Sequence, residues 1–142
     1  MMTERIQSPN APAPVGAYPH ARRFGNLLFL SGVGPRVPGS GEIPGNVYDD
    51  AGRVLAYDIA KQCHQVFANV RAVLEAGGAR WQDLLDVTVF LTDMDRDFAT
   101  YNRIYADYFE TVQACRTTLG ISSLPTPIAI ELKCIAALPS GA

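Results

Sequence analysis

The stretch CRTTLGISSLPTPIAIELKCIA, residues 115–136, decides the fold because it reads as two extended segments separated by a Leu-Pro-Thr-Pro break. Strand alternation divides the second segment into one face with Ile128, Ile130, Leu132, Cys134 and Ala136 and another with Ala129, Glu131, Lys133, Ile135 and Ala137. Both faces carry apolar side chains. The pattern therefore predicts a strand with helices on one face and another copy of the chain on the other, so we expect a homo-oligomer.

Two charged side chains, Arg116 and Glu131, lie in this otherwise weakly charged region. Alternation predicts that Arg116 and Thr118 face the neighbouring subunit, as Glu131 does, while Leu119 and Ile121 face the helices. An unpartnered charge in a partly dry site is costly, so both charges need a reason. Two interpretations stay open at this point. The side chains form a structural ion pair, or they act separately as a carboxylate clamp and a proton-transfer group.

The rest of the chain supplies two helices and the remaining strands. A Gly-Asn pair at 25–26 joins AYPHARRF and LLFLSGV as a hairpin. Apolar residues recur at helical spacing from about 56 to 76 and aromatic residues from about 95 to 110, which predicts two helices with mainly buried stripes. DLLDVTVFLTDM, between the helices, predicts a strand. The order is therefore ββαβαββ, an α+β fold whose mixed sheet carries both helices on one face.

The composition fits a single domain, residues 1–142, that begins with a flexible arm over residues 1–11. There is no apolar run of membrane-spanning length and no apolar stretch of a signal peptide, so we expect a cytoplasmic protein without membrane contact. Three scattered cysteines and two histidines lack the spacing of metal ligands, so we expect no metal. The net charge of −2 argues against nucleic acid as a partner.

Several motifs together resemble the Rid family, also called the YjgF family. They are PAPVGAYPHA, LLFLSGVGP, NVRAVLEAGG, VTVFLTDMDRDFATYNRIYADYF and the closing R-T-T-L-G, L-P and I-E-L-K-C-I-A segments, which together cover about residues 12–137. The resemblance implies a chorismate-mutase-like fold, a homotrimer with a central β-barrel, and sites between subunits. Many members hydrolyse enamines and imines of small carboxylates to keto acids and ammonia. The resemblance implies no cofactor for this chemistry.

The resemblance also implies roles for individual residues. Arg116 would bind the substrate carboxylate, and Glu131 would orient or activate the attacking water. The other pocket residues would be Tyr18, Ser31, Gly32, Asn102 and Thr118. Because Thr118 stands where many deaminating members have Cys, a hydroxyl replaces a thiol at that position.

Within the family, YPHARR, SGVGPR, NVYDDAG, RTT and IELK resemble the 2-aminomuconate deaminase branch, which forms 4-oxalocrotonate and ammonia. A dicarboxylate substrate needs a second polar contact, for which His20, Arg23 and Arg36 are candidates. Three alternatives stay open. One is a general deaminase of 2-aminoacrylate-type imino acids, another is a non-catalytic trimer that binds small regulatory ligands, and the third is an RNA-cleaving or chaperone-like protein.

Overall fold

The computed structural model describes residues 3–139. In chain order its elements are β1 (Thr3–Ile6), β2 (Ala21–Phe24), β3 (Leu27–Leu30), β4 (Val47–Tyr48), β5 (Val54–Ala56), α1 (Ile59–Ala76), β6 (Leu84–Leu91), α2 (Met94–Phe109), β7 (Cys115–Gly120) and β8 (Ile130–Ala137). The predicted α+β order is confirmed, and the structure adds the strand β1 and the short β4–β5 hairpin to it.

Six strands form one mixed sheet in the order β1-β2-β3-β8-β6-β7. All neighbours are antiparallel except β6 and β7, which run parallel because α2 returns the chain to the same end of the sheet. The predicted 25–26 hairpin joins β2 to β3, and Gly25 has a φ of 61°, which glycine adopts without steric cost. In this strand order β8 lies inside the sheet, between β3 and β6, and β7 is an edge strand.

The core lies between one face of the sheet and the two helices, as the patterns predicted. On β8 the buried residues alternate and are Ile130, Leu132, Cys134 and Ala136. Asp58 caps α1 by accepting a hydrogen bond from the Lys61 backbone N–H. The opposite face of the sheet remains open in a single chain, and it carries exposed apolar side chains that include Phe29 and Leu119.

Within the segment 1–11, predicted as a flexible arm, residues Thr3–Ile6 form the edge strand β1. β1 pairs with β2 in a register that sets Thr3 opposite Phe24 and Ile6 opposite Ala21. Ser8 and Ala11, further along, are also buried. Alternation is hard to detect over a strand as short as TERI, which is why the sequence did not reveal it.

Two buried amides of α1 hold the long glycine- and proline-rich loop in place. Asn69 donates from Nδ2 to the backbone oxygens of Gly34 and Arg36, each at 2.8 Å. Gln62 donates to the side chain of Asn46 and accepts from the backbone N–H of Ala129. These bonds satisfy backbone groups that would otherwise be unpaired, and they fix the loop beside the start of β8.

Candidate functional site

Arg116 lies at the edge of the sheet, against helix α2. Its Nη1 donates to Oδ1 of Asn102 at 2.7 Å, and its guanidinium carbon lies 4.7 Å from the ring centroid of Tyr105 and 5.5 Å from that of Tyr101. The residue is exposed on a cleft, here called the guanidinium cleft, lined by Asn102, Tyr105, Ala106, Asp107, Phe109, Glu110, Gln113 and Arg116. Helix α2 therefore fixes the guanidinium through Asn102 and two tyrosine rings, and the other N–H groups of the guanidinium stay available for an anion.

Glu131 lies on β8 in a second cleft, here called the carboxylate cleft. Its lining consists of Val15, Tyr18, Gly32, Gly34, Arg36, Pro125, Thr126, Ile128 and Glu131. The side chain is partly buried, and this burial raises the pKa of the Glu131 carboxyl above its ordinary value. No cation offsets the burial, because the ion pairs among residues 3–139 are Arg53–Asp49, Arg80–Asp83 and Arg96–Asp97.

Gly32 brings backbone against this carboxylate. A Cβ atom added at Gly32 would lie 2.8 Å from Oε2 and 3.0 Å from Cδ of Glu131. The approach follows from the bridge between Val33 and Leu132, whose backbone groups exchange hydrogen bonds of 2.8 and 2.9 Å. Glycine at position 32 therefore leaves Glu131 the room for its present orientation.

Arg116 and Glu131 lie on opposite faces of the sheet within one chain. The β6–β7 register sets Arg116 opposite Val87 and Thr118 opposite Val89, and both valines are buried beneath the helices. Glu131 is opposite Phe90, whose side chain points to the open face. The prediction that Arg116 and Thr118 share the subunit-facing side with Glu131 is wrong for a single chain.

The same register makes the prediction for Leu119 wrong. This residue is opposite Phe90 on the open face and is 44% exposed, whereas we expected it to face the helices. The physical reason is that α2 presents aromatic rings to the edge strand, and these rings provide a favourable surface for a guanidinium.

A pocket that adjoins the carboxylate cleft is lined in part by Tyr18, His20 and Ser31. Ser31 donates from its hydroxyl to the Pro19 carbonyl at 2.7 Å, and the hydroxyl of Tyr18 accepts from the Val15 backbone at 3.2 Å. His20 accepts at Nδ1 from the Ser8 backbone at 3.0 Å, which leaves Nε2 to donate to the Pro12 carbonyl at 2.8 Å. Both ring nitrogens of His20 thus form hydrogen bonds with the backbone of the N-terminal segment.

Arg36 lines the carboxylate cleft with Tyr18 and Gly32. One of its N–H groups donates to the Ala13 carbonyl at 2.7 Å, which leaves other donors of the guanidinium for a ligand. Arg23, the third candidate, lies in β2 and donates from Nε to the Gly25 carbonyl at 3.0 Å, outside the residues that line the cleft. Arg36 thus lines the same cleft as Glu131, whereas His20 lines an adjoining pocket that also includes Tyr18 and Gly32.

Sequence reasoning assigned the aromatic residues of α2 to the core and missed their contact with Arg116. Tyr101 and Tyr105 are buried, as predicted, but each also presents a ring to the guanidinium. Their four-residue spacing on one helix face was the available signal. The sequence did not predict that the edge strand β7 would place the guanidinium of Arg116 over that helix face.

Residues 3–139 contain no group of three or more His, Cys, Asp or Glu side chains placed to hold a metal ion. The same residues contain no helix that is long and apolar enough to cross a membrane.

The chain is thus a small α+β protein whose mixed sheet carries two helices on one face, with a partly buried carboxylate and an exposed guanidinium in separate clefts. A sequence model of the family described as Endoribonuclease L-PSP matches residues 8–138. The chain belongs to this family, which is the Rid or YjgF family.

Relatives with known names match over nearly the whole chain. A RutC family protein of Pyrococcus horikoshii is 40% identical over 135 residues, which cover 95% of this chain and 98% of the relative. The 2-iminobutanoate/2-iminopropanoate deaminase of Escherichia coli is 34% identical, with 95% and 98% covered. The crystal structure of the E. coli YjgF gene product is similar with a TM-score of 0.80 at 34% identity, over 94% of this chain and 98% of that one.

Proposed function

We propose that this protein is a deaminase that hydrolyses an enamine or imine of a 2-amino acid to the keto acid and ammonia. One observation carries the proposal. Among residues 3–139, the guanidinium of Arg116 has no carboxylate partner and the carboxylate of Glu131 has no cation partner. Each charged group would gain a hydrogen-bonding partner from outside the chain: a substrate carboxylate for Arg116 and a water molecule for Glu131. The deaminase name of the E. coli relative agrees with this chemistry.

The reaction needs a site that contains both groups, and we propose that two copies of the chain form it. Arg116 and Glu131 lie on opposite faces of the sheet, so the guanidinium cleft of one copy must meet the carboxylate cleft of another. A cyclic arrangement joins unlike surfaces of neighbouring copies in this way. The exposed apolar residues of the open face are the surface that such an assembly would cover. We propose a homotrimer, in keeping with the family resemblance.

In this site Arg116 would bind the substrate carboxylate through two parallel N–H···O bonds and so place the adjacent carbon. The enamine first tautomerises to the imine by moving one proton from nitrogen to carbon. Water then adds to the imine carbon, while Glu131 takes a proton from the water and passes it to the nitrogen. The carbinolamine collapses when the proton of its new hydroxyl moves to the amino nitrogen and the C–N bond breaks, which releases ammonia and leaves the C=O bond of the keto acid.

For the substrate we propose 2-aminomuconate, a dicarboxylate, with Arg36 binding the second carboxylate. Arg36 supports this choice because its guanidinium lines the cleft of Glu131 and retains unused donors. His20 supports it less well because both of its ring nitrogens bind backbone groups. A general imino-acid deaminase would have no need for a second cation in this cleft.

The test is ammonia release from freshly generated 2-aminomuconate and, in parallel, from 2-iminobutanoate. We expect turnover of both substrates, and Arg36→Ala should raise KM about tenfold for the dicarboxylate alone, because a charged hydrogen bond is lost. Arg53→Ala, an exposed loop arginine, is the matched control. An equal loss on both substrates would contradict the assignment of Arg36, and no release from either substrate would contradict the deaminase.

Gly32→Ala is expected to lower kcat/KM about tenfold or more with little change in thermal stability, because small displacements of a catalytic group cost rate steeply. The added methyl would lie 2.8 Å from Oε2 of Glu131, so the carboxylate must move. Gly120→Ala is the control, since its Cβ would meet Met94 no closer than 3.6 Å. Full activity of the Gly32 variant would show that the observed position of Glu131 is not the active one.

A further inference from the structure

The hydroxyl of Tyr101 lies behind the guanidinium cleft. Tyr101 is fully buried, and its hydroxyl oxygen is 3.0 Å from Oγ1 of Thr118. Thr118 lies on the same face of β7 as Arg116, two residues further along, and it is only partly buried. Tyr101 thus touches both residues of β7 that point into this region, through its ring for Arg116 and through its hydroxyl for Thr118.

The neighbours of the Tyr101–Thr118 contact favour Tyr101 as its hydrogen-bond donor. Burial raises the pKa of Tyr101 above its ordinary value, against the lowering effects of Thr118 and of the charge on Arg116, so the phenol keeps its proton. A guanidinium can only donate, and it therefore favours a lone pair of the phenol oxygen on its side. Either hydroxyl is placed to donate across this contact, and the guanidinium favours donation from the phenol to Oγ1 of Thr118.

When Tyr101 donates to Thr118, the threonine hydroxyl keeps its own proton for another acceptor. Thr118 is partly exposed beside Arg116, and the Thr118–Tyr101 contact is the one hydrogen bond of its side chain among residues 3–139. In that arrangement the threonine proton is available on the side of Thr118 away from the buried phenol. A carboxylate held by Arg116, or the nitrogen or oxygen next to it, would accept it.

We propose that Tyr101 is a positioning residue that orients the hydroxyl of Thr118 as a hydrogen-bond donor to the ligand and braces Arg116. The ligand class is a 2-keto or 2-imino acid, and in that respect the inference rests on the proposed function. Asn102 and the ring of Tyr105 fix the other sides of the guanidinium. The three α2 residues together make the clamp rigid before the ligand arrives, which lowers the entropic cost of binding.

The test measures binding without turnover, by calorimetric titration of the intact protein with 2-oxobutanoate. Tyr101→Phe and Thr118→Val should each weaken Kd about fivefold, the usual range for one hydrogen bond, and the double variant should be no weaker than either one. Thr118→Ser keeps the hydroxyl and should bind as the parent protein does. Tyr108→Phe makes the same change on α2, where the lost hydroxyl contacts His64, and it should have no effect.

Unchanged binding by Tyr101→Phe, or losses that multiply to about twenty-five-fold in the double variant, would overturn the proposal. Thermal melting shows whether each variant folds. If Tyr101→Phe does not fold, the comparison of Thr118→Val with Thr118→Ser decides, and equal binding by those two variants overturns it. Since no turnover is needed, coupled losses in a protein that releases no ammonia would support the inference while the deaminase fails.

Discussion

Glu131→Gln is expected to lower kcat by about a hundredfold or more, because the amide is nearly isosteric but cannot take a proton from water. The pH profile gives a second signature. Since burial raises the pKa of Glu131, activity that needs the carboxylate should fall as the pH drops through a value above the ordinary glutamate range. Ammonia release measured from pH 4 to 9 should show this acid limb in the parent protein and not in the residual activity of the variant.

Glu75→Gln is the matched control for this experiment, since Glu75 is an exposed residue of α1 away from both clefts. Its rate and pH profile should equal those of the parent protein. If Glu131→Gln keeps more than half of the parent kcat, or keeps the same acid limb, Glu131 does not transfer the proton.

Co-expression of Arg116→Ala and Glu131→Gln chains is expected to restore about a quarter of the parent activity, although each variant alone is nearly inactive, because one ordered pair of neighbours in four combines both intact groups. The reason is the placement of the two residues on opposite faces of the sheet. Arg116→Ala alone should raise KM so far that little activity remains at the assayed substrate concentration, since it removes the carboxylate clamp.

The control is a chain that carries both substitutions, which should recover nothing when it is expressed alone. Purified mixed assemblies are assayed for ammonia release, and the ratio of the two chains is checked by mass spectrometry. No recovery in assemblies that contain both chains would show that the site is not formed between copies, and the proposed assembly of the active site would then be wrong.

The sequence by itself determined the secondary structure that has strong local periodicity. The apolar spacing predicted α1 and α2 to within a few residues of Ile59–Ala76 and Met94–Phe109. Alternation in β8 correctly separated the helix-facing residues from Glu131. Arg116 and Glu131 also stood out from composition alone, because few charges occur near the C-terminus. These features are local, and a short window contains all the information they need.

The tertiary structure alone decided which side of the sheet Arg116 faces and what lies around each charge. In β7 each alternating set contains a threonine and neither set is wholly apolar, so the pattern did not decide which set faces the helices. The parallel pairing of Arg116 with Val87, the rings of α2 behind it and the approach of Gly32 to Glu131 are all contacts between segments distant in sequence. A strand's register reverses every side chain when it shifts by one residue, and only the packed neighbours fix it.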